Sequence, residues 1–117
     1  MKRFGSYVRE CREALNDEGK GYSVRKVAGK IGVEPAFLSK VERELVPPPS
    51  EGKIVSLAGV LGEDPDILLA MAGKVSSDIL DIIQKRPVLF ADLIRKLKTE
   101  PDHAVLKVVR EVTDGDW

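Results

Sequence analysis

The chain has 117 residues, 43% apolar and 32% charged, which suits one helical domain, or one small domain with an appendage. Its longest apolar run, residues 67–72, falls far short of the roughly 20 residues of a membrane span. The opening MKRFGSYVREC lacks a signal-peptide hydrophobic region, and the single cysteine excludes an intrachain disulfide, so a cytoplasmic protein without membrane association is expected. Charge balances overall, at 19 Lys and Arg against 19 Asp and Glu, but not along the chain. Residues 1–50 carry 10 against 7, and residues 51–117 carry 9 against 12. A mildly basic first part followed by an acidic second part suits a DNA-facing module joined to a protein-facing one.

A first helix is expected over residues 4–16, where Phe4, Val8, Cys11 and Leu15 recur at i, i+4, i+7 and i+11. That stripe puts Cys11 inside, either as a small core residue or as a redox-sensing thiol. Asp17-Glu18-Gly19-Lys20-Gly21 reads as a loop whose tip either touches a DNA backbone or is mobile. Ser23 is an N-cap candidate for a second helix with Val27, Ala28 and Ile31 on its apolar face. Gly32 ends it, since glycine takes the left-handed geometry of a helix terminus without steric cost. Val33 plugs the turn. Glu34 can cap a third helix, with Pro35 at its first position, where no backbone donor is needed. Leu38 and Val41 then face inward, leaving Ala36, Phe37, Ser39, Lys40 and Arg43 outward.

Pro47, Pro48 and Pro49 stiffen an extended connector. Ser50 is expected to cap a fourth helix, with Ile54, Leu57, Ala58 and Leu61 on one face and Gly62 at its end. Asp64-Pro65-Asp66 opens a fifth over residues 67–72, and Gly73 ends it. Three further amphipathic pieces follow. The first starts at Ser76-Ser77-Asp78 and carries Ile79, Ile82 and Ile83; Pro87 breaks the chain. The second is striped by Phe90, Leu93, Ile94 and Leu97. The third opens at Pro101 and carries Val105, Val108, Val109 and Val112, and the tail 113–117 is expected to fray. Helices this short do not hold alone in water, so they pack on the first domain, on each other or on a second copy.

The pattern S-x-R-x-V-A-x-x-I-G-V-x-x-x-x-L-S-K-V-E-R over residues 23–43, then Pro49-Ser50 and I-x-x-L-A-x-x-L-G over residues 54–62, resembles the phage-repressor-like helix-turn-helix family, of the lambda repressor/Cro or Xre type. The resemblance covers about residues 4–69. It implies a five-helix DNA-binding domain, at residues 1–73 of an all-α chain; residues 74–117 lie outside the resemblance, and their stripes are read as a C-terminal extension of about three short helices, the dimerisation region in preference to an extension of the first core. It also implies that the third helix, residues 34–43, enters the major groove and reads bases.

The site residues carried over from that resemblance are Pro35, Ala36, Phe37 and Lys40 for base contacts, with Ser39 facing either a base or the protein, and Arg43 on the same outward side. Pro35 has no donor, Ala36 and Phe37 offer only apolar contact, as to a thymine methyl, and Lys40 is the strong donor to guanine or phosphate. Phe37 has a second reading, packing on a partner subunit or on the second helix. Ser23, Arg25, Lys26 and the helix N-termini supply phosphate contacts. Val24 stands where many relatives have glutamine, and Glu44 where a glycine often follows Glu-Arg. The resemblance further implies a partly buried ion pair between Arg12 and Glu42.

Nothing points to catalysis. His103 is the only histidine, Cys11 has no companion ligands at metal-site spacing, and no phosphate loop or nucleophile motif occurs. No enzyme activity, cofactor or metal is expected. The expected function is a sequence-specific transcriptional regulator, a repressor that binds double-stranded DNA at a two-fold-symmetric operator as a homodimer. The alternatives are an antitoxin-type regulator, holding a toxin or metallopeptidase partner through its C-terminal helices, and an interaction adaptor that no longer binds DNA.

Overall fold

Serine, glycine and proline punctuate the chain, and most helix ends fall on them. A computed structural model describes residues 2–19 and 21–115. Among these it forms eight α-helices and no strand: α1 (Phe4–Asp17), α2 (Val24–Ile31), α3 (Pro35–Glu42), α4 (Glu51–Leu61), α5 (Pro65–Met71), α6 (Ser77–Lys85), α7 (Pro87–Leu97) and α8 (Asp102–Asp114). Lys20 of the first loop and Asp116 and Trp117 of the tail lie outside the described residues. The expected all-α class is what the chain adopts. No helix among the described residues is long and apolar enough to cross a membrane.

Two compact units divide the chain, Met1–Ser77 and Asp78–Trp117. In the first, α1 packs on α3 and α4, α2 on α3 and α4, and α4 on α5. The periodic positions supply the core: Phe4 and Val8 of α1, Val27, Ala28 and Ile31 of α2, and Leu38 and Val41 of α3 meet Ile54, Leu57, Ala58 and Leu61 of α4, with Leu68 and Leu69 of α5. A side chain removed from water as fully as Leu57 or Leu69 stabilises the fold by roughly 2 kcal/mol. Gly5 lets α1 approach α3 closely. A Cβ there would collide with the Val41 carbonyl oxygen and reach 2.8 Å from Glu44 Cγ.

Several expectations need correction. Cys11 is half-buried, because the stripe of α1 runs off the core after Val8 and leaves Cys11 and Leu15 at its margin. Glu34 and Ser50 occupy N-cap positions with extended backbone, yet neither side chain makes a cap hydrogen bond. Glutamate is one methylene longer than the favoured cap aspartate, and Ser50 is exposed, so its hydroxyl is not driven by burial to bond the helix end. The caps at Ser23 and Asp64 do form, accepting from the Lys26 and Asp66 amides at 3.2 and 2.8 Å. Pro87 does not break the chain so much as start a helix: only Arg86 separates α6 from α7, and Pro87 is the first residue of α7. Thr113 and Asp114 are helical rather than frayed, with the Thr113 hydroxyl donating to the Val109 carbonyl at 3.0 Å.

The segment after Gly73 is tied back into the first unit. Lys74 Nζ donates to the Pro49 carbonyl at 3.2 Å, and the Ser77 amide and hydroxyl donate to the Glu51 carboxylate at 3.0 and 2.7 Å. The second unit differs in kind, for no residue of α6, α7 or α8 is buried. Every helix pair with extensive contact belongs to the first unit.

Candidate nucleic-acid interface

The turn between α2 and α3 is built from backbone first. Gly32 adopts φ +74°, and the Val33 amide donates back to the Ala28 carbonyl at 3.0 Å, closing the end of α2 in the manner of a Schellman motif. Lys53 of α4 completes the closure, its Nζ donating to the Ile31 carbonyl at 2.8 Å. A cation on the last carbonyls of a helix satisfies lone pairs and complements the negative end of the dipole. Pro35 then starts α3 with its φ already set and no amide to satisfy. The result is a short helix, a fixed turn and a second short helix whose outer side is clear of the core.

One buried ion pair holds this arrangement. Arg12 Nε and Nη2 donate to the two carboxylate oxygens of Glu42 at 2.7 and 2.9 Å, and Nη1 donates to the Tyr22 carbonyl at 3.1 Å. Arg12 and Glu42 are 6% and 5% exposed, so the pair is more deeply buried than the resemblance implied. α1, the lead into α2 and the end of α3 are thus joined through one planar guanidinium with fixed geometry. The bond to Glu42 outweighs burial and raises the Arg12 pKa, so the guanidinium keeps its charge. It also removes the Glu42 charge from the outward surface.

On that surface Arg25 and Lys26 of α2 and Ala36, Phe37, Lys40 and Arg43 of α3 are exposed, while Ser23, Pro35 and Ser39 are half-buried. Phe37 is 36% exposed and stands outside the core cluster. Arg43 Nε donates to the Ser39 carbonyl at 3.3 Å, which holds its guanidinium along α3. Ser39 and Arg43 share a shallow depression with Arg9, Arg12, Val24 and Glu42. Arg9 is an addition that the sequence pattern does not supply. The clue available in sequence was its place beside Arg12 on the first helix, but only the fold brings it next to the start of α2. Its Nε donates to Glu13 Oε1 at 2.9 Å, leaving other guanidinium donors on the rim.

Charge on this face is one-sided. Between residues 23 and 44 the exposed ionic groups are Arg25, Lys26, Lys30, Lys40 and Arg43 against Glu34 and Glu44. Lys30 Nζ sits 5.1 Å from the centre of the Tyr22 ring, a cation–π distance that steadies the Tyr22 backbone to which Arg12 binds. Glu44, next after Arg43, has φ +61° and is the single non-glycine residue in left-handed geometry among the described residues. Its amide and that of Leu45 close the end of α3 on the Val41 and Lys40 carbonyls, as glycine would do without strain.

Elsewhere chemistry is sparse. Tyr7 donates to Glu63 Oε2 at 2.9 Å, and the Cys11 thiol donates to Glu63 Oε1 at 3.3 Å. The bond to Glu63 pushes the Tyr7 pKa up to about 12, and burial first, then the same carboxylate, pushes the Cys11 thiol up. A thiol held protonated is a poor nucleophile, which favours a packing role over a redox one. His103 is exposed on the first turn of α8. No group of three or more His, Cys, Asp or Glu that could hold a metal occurs among the described residues. No protein-family model, curated protein or solved structure matches the chain.

Proposed function

We propose that this chain is a sequence-specific DNA-binding transcriptional regulator of the phage-repressor-like type, a repressor that binds a two-fold-symmetric operator as a homodimer. The observation that carries the reading is the outward face of α3. Ala36, Phe37, Lys40 and Arg43 are exposed there, set by a rigid glycine turn and a buried Arg12–Glu42 pair, with Arg25 and Lys26 alongside on α2. A short protruding helix with an exposed donor and flanking cations fits the major groove, while the cations beside it meet the phosphates. The five helices of residues 4–71 then form the DNA-binding part, and α6 to α8 supply the contact between copies.

Selection of bound duplexes from a random DNA pool with the full chain tests this. Enrichment of an inverted repeat whose affinity falls steeply with salt supports the regulator, because neutralised phosphates release counterions. Lys40→Ala should relax the preference at one base pair of each half-site. Loss of affinity equally for all sequences would make Lys40 a phosphate contact instead. A second reading draws on the three helices without a buried residue: an antitoxin-type regulator that covers them with a toxin or metallopeptidase partner. A full chain that is monomeric by light scattering and binds no DNA selectively would move the balance to that partner role.

A further inference from the structure

Two apolar side chains sit where the proposed reading helix meets its ligand. Ala36 and Phe37 occupy the first turn of α3, both exposed, while the helix places its other apolar residues, Leu38 and Val41, in the core. The exposed ionic groups of the same stretch are mostly basic: Lys40 on α3 and Arg43 just beyond it, with Arg25, Lys26 and Lys30 on α2, against Glu34 and Glu44. This exposed phenyl ring, on a segment whose exposed ionic groups are mostly basic, does not suit an aliphatic protein surface, which would leave those charges without partners. It does suit a base edge that is itself apolar and lies between phosphates. In the major groove the one such group is the C5-methyl of thymine.

Resting on the regulator reading, we infer that Phe37, with Ala36 beside it, selects a thymine by its methyl group, next to a guanine pair addressed by Lys40. Phe37 and Lys40 are three residues apart on one side of α3, a rise of about 4.5 Å. Base pairs stack about 3.4 Å apart along each strand. The two side chains therefore address neighbouring base pairs, and each half-site of the operator holds a thymine and a guanine on adjacent pairs. Specificity at the thymine comes from burial of a methyl group, with no hydrogen bond, and Pro35 adds none because it lacks an amide.

The test uses the full chain and the duplex that a random pool enriches. Each thymine in turn is replaced by deoxyuridine, which removes the methyl group and nothing else. Burial of one methyl sets the expected loss at about fourfold in Kd per half-site, at one thymine position adjacent to a guanine pair. Phe37→Ala should abolish that sensitivity while leaving the salt slope unchanged, and Phe37→Leu should keep it. A duplex that binds with no thymine sensitive to demethylation overturns this inference and leaves the regulator reading standing. Failure to enrich any duplex overturns both. Phe37→Ala that dissociates the dimer, with uracil sensitivity intact, assigns the ring to a second copy of the chain instead.

Discussion

The Arg12 guanidinium has acceptors on two other segments, and its removal would leave the Glu42 carboxylate buried without a partner. One-sided loss of a buried pair costs roughly 3–5 kcal/mol, so Arg12→Ala should lower the melting temperature sharply. Arg12→Met combined with Glu42→Leu should recover most of that loss, because no buried charge then remains. Equal melting points for the single and double variants would show that the guanidinium acts through packing alone. Tyr7 gives a pH signature. Its hydroxyl donates to Glu63, and ionisation both loses that bond and places a phenolate beside a carboxylate. The folded pKa of about 12 lies above the ordinary 10.0, so the stabilisation is complete below pH 10 and is lost as pH rises through 12. In a Tyr22→Phe background, absorbance titration of the remaining tyrosine should give a midpoint near 12. Adding Glu63→Gln should bring it back toward 10.0. An unmoved midpoint in Glu63→Gln would assign the shift to something other than that hydrogen bond.

At the level of elements, α3 is held from both ends of its approach to α1. Gly5→Ala would put a methyl group against the Val41 carbonyl, and backbone has little room to yield. A loss on the order of 2 kcal/mol is expected by the usual cost of overpacking and, under the proposed regulator reading, weaker DNA binding as α3 shifts. Glu44→Gly should act in the opposite sense, since a left-handed residue without Cβ escapes a penalty of about 1 kcal/mol, against a weak exposed contact to Arg3. Chemical denaturation of the two variants decides both. Most of these elements could be read from the sequence, because Ser23, Gly32, Pro35, Gly62 and Asp64 act on backbone within a few residues and need nothing distant. Glu44 stands in a glycine position of the pattern, but its left-handed geometry shows only in the fold. What could not be read is whatever depends on a distant partner: Lys53 closing α2 from 22 residues away, or Arg9 arriving beside α2. Cys11 was misplaced for a related reason, since helical spacing gives the direction of a stripe but not where the core beneath it ends.

For the whole molecule, the division after Ser77 has a simple experimental form. A fragment of residues 1–77 keeps the thirteen apolar side chains of the core and the contacts of Lys74 and Ser77. It should fold cooperatively, stay helical and monomeric and, under the proposed regulator reading, bind one half-site weakly. Light scattering and a DNA titration on the fragment check this, and a fragment that remains dimeric would move the contact between copies into the first unit. A fragment that unfolds would show that residues 78–117 belong to the same cooperative core. The second unit was legible as three helices from its stripes and its prolines, whereas the absence of any buried residue there is a property of the folded chain and not of its periodicity.

That absence bears on turnover. Leu89, Ile94 and Val109 remain 68%, 58% and 54% exposed, on helices close to the length limit for persistence in water. Under the homodimer reading, a scarce copy presents α6 to α8 uncovered, and segments that open locally are what proteases cut. Abundant copies shield one another. Limited proteolysis at low and high protein concentration should therefore show cuts within residues 78–115 that fade as concentration rises, while residues 4–71 resist throughout. Cuts independent of concentration would break the link. With it, the chain's survival time depends on its own abundance: a pool that falls below the level needed for pairing is cleared faster than it thins by dilution, which turns gradual loss of such a repressor into an abrupt one.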